Sequence, residues 1–425
     1  MVLRTGWMFK TESVIMPAFL DAVAGPGAGA LRGCMPVLSR IGQSVPPLFL
    51  ADRLRKISHK KLALAALAIL MSVPFAALSM LWLVTPGARS VLWMPGVFLG
   101  LYLLFFVSYG LYLLSFGTLQ GKLIRPTRRG LLLLVSTFCG TIPAIGLTLY
   151  LLPGWLGNSH DRPESGTPAY GQIFAFVAMC FFLAGLLALL VFEPGDKAAG
   201  RPAVKRGSVA NALRALGQDR NLRRLVLVAM LCGSGLMISP HYQALGLGEL
   251  GLDRGEMMIW VITQSISVGI LSLVVGPLAD ARGYRLTLQG LIFASAVAPA
   301  FAAFLPHLDG PLAGRLFWLV YIPLGVSPLV LRTLVNYTLE LCPPDSHPRY
   351  LSILSLCLAV PFMFSPAVGW LIDPLGPLGS SGFEVVFLGG VCLILLSGLL
   401  AFRLDEPRHR LAGDFAQPLG VEGDH

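Results

Sequence analysis

The 425-residue chain has little of what a soluble enzyme is built from, since only 13% of its residues are charged and no His or Cys stands at metal-ligand spacing. Its seven cysteines (34, 139, 180, 232, 342, 357 and 392) form no C-x-x-C and fall mostly within apolar runs, where they read as reduced packing residues. H-E-x-x-H, G-x-S-x-G and paired His/Asp spacing are all missing, so soluble-type catalysis has no candidate residues. The expectation is a protein that is not an enzyme and carries no cofactor or metal. A Walker loop is missing too, so uphill movement of a solute would draw on an ion or solute gradient and not on ATP hydrolysed by this chain. The net charge of +10 could suggest nucleic acid. Lys and Arg nevertheless sit in short clusters between apolar runs, with no basic stripe interleaved with stacking aromatics, so no nucleic-acid partner is expected.

What the chain has in abundance is apolar length. Hydrophobic residues make up 55% and the mean hydropathy is +0.73, so the lipid bilayer is its solvent and main partner. Runs of roughly 20 apolar residues, the length that crosses about 30 Å of hydrocarbon, predict twelve spans. They fall at 11–30, 36–51, 62–84, 95–119, 131–152 and 170–192, then 224–246, 257–279, 286–305, 316–340, 350–372 and 383–402. The second is the shortest and most broken. With loops assigned alternately, only Arg32, Arg40, Arg89, Arg162, Arg254 and Arg315 of the 32 Lys and Arg fall on the outer side. Arg332 lies inside span 10, and all the others share the side of the termini, which predicts that both termini are cytoplasmic. Arg4, Lys10, the run from Val14 to Leu20 and Ala22-Val23-Ala24 imitate a cleavable signal peptide, but Glu12, Asp21 and the six-plus-six count favour a retained first span.

The spans predict an all-α membrane protein of two six-helix bundles, 1–193 and 224–402, joined by a cytoplasmic loop, 194–223, and followed by a disordered tail, 403–425. In the loop, Ser208 can cap a short helix whose residues 209, 212, 213 and 216 make one apolar face on the inner membrane surface. Gly and Pro inside spans, as in Gly140 to Gly146 of span 5 around Pro143 and Ser239-Pro240-His241 of span 7, suit a bundle that moves.

One charged turn organises the rest. Gly276-Pro277-Leu278-Ala279-Asp280-Ala281-Arg282-Gly283-Tyr284-Arg285 resembles the cytoplasmic loop motif of the major facilitator superfamily, G-x-L-A-D-x-x-G-x-[RK], at every position. A weaker copy, Leu50-Ala51-Asp52-Arg53, lacks both glycines, and the two aspartates are about 228 residues apart, half the chain, as a duplicated bundle requires. The loops around Pro126 and Pro344 look like the family's matched loops after spans 4 and 10. Span 4 lacks the intramembrane Arg of many proton-driven exporters, which sets proton-coupled drug export aside. The resemblance implies the family's pseudo-symmetric twelve-helix fold in the plasma (inner) membrane, a monomer, and a central cavity lined by spans 1, 4, 7 and 10. It further implies that the turn of each half docks on the start of a span in the other. Asp280 should then meet Arg128 or Arg129, and Asp52 should meet Arg349, with Gly276, Gly283 and Arg285 shaping the gate.

The implied cavity spans hold the unusual polar residues. Arg332 is too deep to reach the surface and shares a narrow polar stripe with Gly325, Pro328 and Asn336. Asp21 appears similarly deep and is the expected partner of Arg332, whereas Glu12 points roughly the other way from Lys10 and Asp21. Tyr102, Tyr109, Tyr242 and Gln243 complete the candidate lining, against the plainer reading of tyrosines as packing. Asp21, His241 and Glu340 are the groups able to carry a coupling proton. The expected function is secondary active transport of a small solute by alternating access. Arg332 favours an anion, and the tyrosines suit an amphipathic or aromatic compound equally. The rival is a protein of the same fold that does not transport and acts as a membrane sensor or assembly partner; a membrane enzyme comes third. A solvent-reachable polar cavity separates the first reading from the second.

Overall fold

The computed structural model describes residues 1–25, 27–57, 59–84, 92–123, 126–156, 170–193, 216–217, 219–342, 347–373 and 376–406, and these contain helices and no strand. The side chains of residues 51–56, 126–139, 280 and 347–349 lie outside that description. So do the tail from 407 and the loop helix expected from Ser208, apart from its last residue.

Nine described helices are long and apolar enough to cross a bilayer: Lys60–Val84, Met94–Gly117, Tyr170–Leu189, Arg220–Glu249, Glu256–Ala279, Tyr284–His307, Gly310–Glu340, Ile353–Ile372 and Gly382–Ala401. They are spans 3, 4 and 6 to 12. Span 5 is the helix Pro126–Leu156, span 2 is Gly29–Lys56, and span 1 is two short helices, Val2–Phe9 and Ile15–Ala24. Two expected boundaries need correction. Span 1 begins nine residues earlier than the expected 11–30 and is broken in the middle. Span 2 extends well beyond 36–51, so Arg32 and Arg40, expected in outer loops, lie inside a membrane helix. Hydropathy rejects a charge inside a span, yet each of these charges has an internal partner, and that is what makes its burial tolerable.

The packing repeats itself. In the first half span 1 packs on spans 5 and 6, span 2 on span 4, and span 3 on spans 4 and 6. Adding six to each number gives the pairs of the second half: span 7 on 11 and 12, span 8 on 10, and span 9 on 10 and 12. The halves meet through span 2 on span 11 and span 5 on span 8, two pairs that the same shift of six exchanges. That is the signature of a pseudo-twofold relation between repeats. Large apolar side chains such as Leu190, Phe192 and Tyr150 stand exposed on the outside of the bundle, where a bilayer would cover them. The side holding the termini is called inner below, and the opposite one outer.

At the outer end the halves touch backbone to backbone. A Cβ on Gly29 of span 2 would collide with the carbonyl oxygen of Gly369 in span 11, and the reverse substitution fares no better. Only glycine permits this approach. The Gly29 amide also donates to Asp373 Oδ2 at 3.2 Å.

Candidate functional site

The break in span 1 creates the centre of the molecule. The first helix stops at Lys10, where the Thr11 hydroxyl turns back to donate to the Met8 carbonyl at 2.6 Å, and the second starts at Ile15 with Pro17 in its first turn. A short run of Thr, Glu, Ser and Val has weak helix propensity and side chains that compete for backbone groups. Inside a membrane, such irregular backbone persists where it lines a cavity or is buried in protein.

Two charges sit at this break. Lys10 is fully buried, and its ammonium donates to Glu12 Oε1 at 2.7 Å. Three rings enclose it, with centroids at 4.1 Å (Trp7), 4.3 Å (Phe106) and 4.4 Å (Phe105). Cation–π contact of this desolvated kind is worth about 2 kcal/mol or more. Glu12 keeps 36% of its side chain exposed and is approached by the Tyr102 hydroxyl and by the charge of Arg40. Helical projection had put Glu12 away from Lys10; the break in the helix is why the two meet. Arg40 reaches across the interface to lie 4.9 Å over the Phe362 ring of span 11. Ser13 Oγ donates to Gln264 of span 8 at 2.6 Å, and Ser44 meets Ser355 at 2.8 Å, so three polar or cation–π links cross between halves at this level.

Toward the inner side the interface is wet. Arg332 and Asn336, one turn apart on span 10, are both exposed, and Asn336 donates to the Tyr284 hydroxyl at 3.4 Å. Arg332 lies about 12 Å from the inner end of its helix at Glu340, at 1.5 Å per residue. It is within electrostatic reach of Arg4 in span 1 and Tyr109 in span 4, both in the opposite half. It therefore faces the space between the halves and not the lipid. Tyr109 is half-buried, its ring edge-on to Trp7 at 4.6 Å. Arg4 packs against Gly140 of span 5, one place where the absence of a side chain admits a neighbouring helix.

Asp21 is not beside Arg332. With span 1 ending at Ala24, Asp21 lies one turn from the outer end, where its carboxylate pairs with Arg32 of span 2 and has Gln243 and Asp373 nearby. His241 is fully buried in the same outer cluster, close to the Arg32 charge, and neither ring nitrogen has a hydrogen-bond partner. Tyr242 is stacked on Phe387 at 4.9 Å within the second half, and Tyr102 is buried among aromatics near Glu12. Glu340 is half-buried at the inner end of span 10. Of the sequence candidates, Arg332, Asn336, Tyr109 and Tyr102 thus border the central region, while Asp21, His241, Tyr242 and Gln243 gather toward the outer end.

The expected gate contacts of Asp280, Asp52, Arg128, Arg129 and Arg349 lie outside the described side chains. Gly276 is exposed, with open space around it, so the close approach expected there is not made in this conformation. Gly283 ends span 8 with φ 87° and ψ 159°, and a Cβ there would meet the Glu406 carboxylate at 2.7 Å. Arg285 donates to the Phe402 carbonyl at 2.9 Å, which ties the turn to span 12 of its own half.

Residues 237–420 match the family model of the Major Facilitator Superfamily. No curated protein sequence matches the chain. Among solved structures, the nucleoside transporter NupG is similar with a TM-score of 0.68 at 14% identity, over 95% of this chain and 97% of that one. A D-xylose-proton symporter gives 0.66 at 15% identity, over 96% and 97%. The xylose transporter XylE from E. coli, in a partially occluded inward-open conformation, gives 0.61 at 14% identity over 95% of each.

Proposed function

We propose that this member of the Major Facilitator Superfamily is a secondary active transporter, which carries a small solute past the break in span 1 by rocking its two halves about a central site. The observation that carries the reading is the water-reachable charged space between the halves, with Glu12 partly exposed and Arg332 facing Arg4 and Tyr109 across it. A sensor that only borrowed the fold would have no use for such a space and could fill it with side chains. The sealed outer end and the exposed Arg332 and Asn336 support an inward-facing state. The positive-inside count supports cytoplasmic termini in an inner membrane.

Proton coupling is part of the proposal, and Glu12 is its carrier. It is the acid at the centre, it is partly open to water, and it is held by a lysine whose own burial depends on the pair. Proton symporters of xylose and fucose have the same fold. Asp21, His241 and Glu340 stay as secondary candidates, Asp21 and His241 by way of the outer closure. The charge balance of the centre leans toward an anionic solute.

The test is transport by the purified protein in liposomes, with and without an imposed proton gradient, for wild type and Glu12→Gln. Gradient-driven accumulation in wild type, reduced to exchange alone in Glu12→Gln, is the expected result. Accumulation by Glu12→Gln that still follows the gradient would remove Glu12 from coupling, and no flux of any solute would return the protein to the sensor class.

A further inference from the structure

The central site holds four cationic side chains, Arg4, Lys10, Arg40 and Arg332, around one carboxylate. Glu12 is already committed: Oε1 accepts from Lys10 at 2.7 Å, and Arg40 and the Tyr102 hydroxyl converge on the same group. Arg40 has an additional partner in the Phe362 ring. Arg4 and Arg332 remain, one from each half, near enough to feel each other's charge and Tyr109. Arg332 makes no ion pair among the described residues, and it is exposed to the inner opening. Two like charges facing each other across a gap bounded by low-dielectric helices repel unless something negative stands between them.

We propose that Arg4 and Arg332 form a two-sided clamp for the anionic group of the transported solute, a carboxylate or a phosphate, with Tyr109 at its side and the aromatic edge of Trp7 toward the solute's apolar body. This rests on the transporter reading and specifies its substrate class. A guanidinium presents two parallel donors to an oxyanion, so a clamp with one arginine on each half can hold the same group from both sides. The anion then links the halves, and its binding favours closure of the inner opening. A net-positive empty site resists that closure, and the bound anion relieves the repulsion. Solvation of both arginines by water is the plainer alternative, and it predicts no preference among solutes beyond that of any surface arginine.

Four probes with one ring and different charges separate these outcomes: benzoate, phenyl phosphate, benzamide and benzylamine. Each is titrated at fixed ionic strength against the full chain in neutral-lipid nanodiscs, with thermal stabilisation as the readout. Saturable stabilisation by benzoate or phenyl phosphate and none by benzamide or benzylamine is expected, and the better anion identifies the oxyanion. Arg332→Ala should weaken that binding at least tenfold, as should Arg4→Gln, and Arg332→Lys should weaken it less. Equal stabilisation by benzamide, a preference for benzylamine, no stabilisation by either anion, or unchanged affinity in a folded Arg332→Ala overturns the clamp. Should Arg332→Ala not fold, Arg4→Gln and Arg332→Lys decide in the same way. Anion binding without flux in liposomes would leave the clamp standing and sink the transporter reading, whereas flux of a neutral solute without anion binding would do the reverse.

Discussion

Lys10 is the residue on which the centre depends. An ammonium at mid-bilayer costs about 2.5–3.5 kcal/mol even on the lenient insertion scale, and here the Glu12 carboxylate and three aromatic faces offset that cost. Lys10→Met keeps the length and apolar stem but strands Glu12 without its partner. It should lower stability by about 3–5 kcal/mol in detergent unfolding, the usual penalty for breaking a buried pair from one side. Lys10→Met with Glu12→Gln should recover most of that loss, so the pair gives a large coupling term in a double-mutant cycle. Additive losses would mean that Lys10 is held by its rings alone. At Gly283 the argument is conformational. With φ 87° and ψ 159° it occupies a region almost closed to other residues, and the Glu406 carboxylate fills the place of its Cβ. Gly283→Ala should cost about 1–3 kcal/mol, read from the same unfolding experiment, and a neutral result would show that the end of span 8 can rearrange. Arg332 was legible in the sequence because one charge amid apolar residues is conspicuous at any helical phase. Glu12 and Arg40 were not, since each sits beside other polar residues and a hydropathy window reads such places as loop.

Spans 1 and 2 show where reading by element works and where it stops. Most spans were legible within a few residues, because a lipid-facing helix has to be apolar along its length. Span 1 was displaced because its polar break, Lys10 to Ser13, resembles an end. Centring the span on residues 2–24 instead would have put Glu12 at its midpoint and Asp21 near its edge. Span 2 turns its charges inward, to Asp21 and to Phe362, so its mean hydropathy understates its place in the membrane. The contact it makes with span 11 through Gly29 and Gly369 is an element-scale device, since two helices can meet at backbone distance only where both lack side chains. Gly369→Val should therefore disfavour the outer-closed state and shift the population toward outward-open. A cysteine at the buried position 243 (Gln243→Cys) reports it. Labelling by a membrane-impermeant maleimide from outside should be slow alone and several-fold faster with Gly369→Val, and equal rates would show that the glycine contact does not hold the outer end shut.

At the scale of the whole molecule, the same helix pairs recur after a shift of six spans, and the two contacts between halves exchange under that shift. A molecule built this way has two related closures, one at each end, and the structure has the outer one made. The inner one should use the charged turns. Helix starts carry unpaired N–H groups and about half a positive charge, so a carboxylate docked there gains up to about 2 kcal/mol when partly buried. Asp280 follows the end of span 8 that packs on span 5, and Arg128 and Arg129 belong to the first turn of span 5. The open space around Gly276 fits a latch that is undone in this state and made when span 8 swings in. With the seven native cysteines replaced, a bifunctional reagent should join Asp280→Cys to Arg128→Cys. The link should form faster under conditions that favour the outward-facing state, and it should abolish transport until it is cleaved. A static clasp between the halves would give the same link at the same rate in both states and leave transport unchanged, because nothing at that position would then have to part during the cycle.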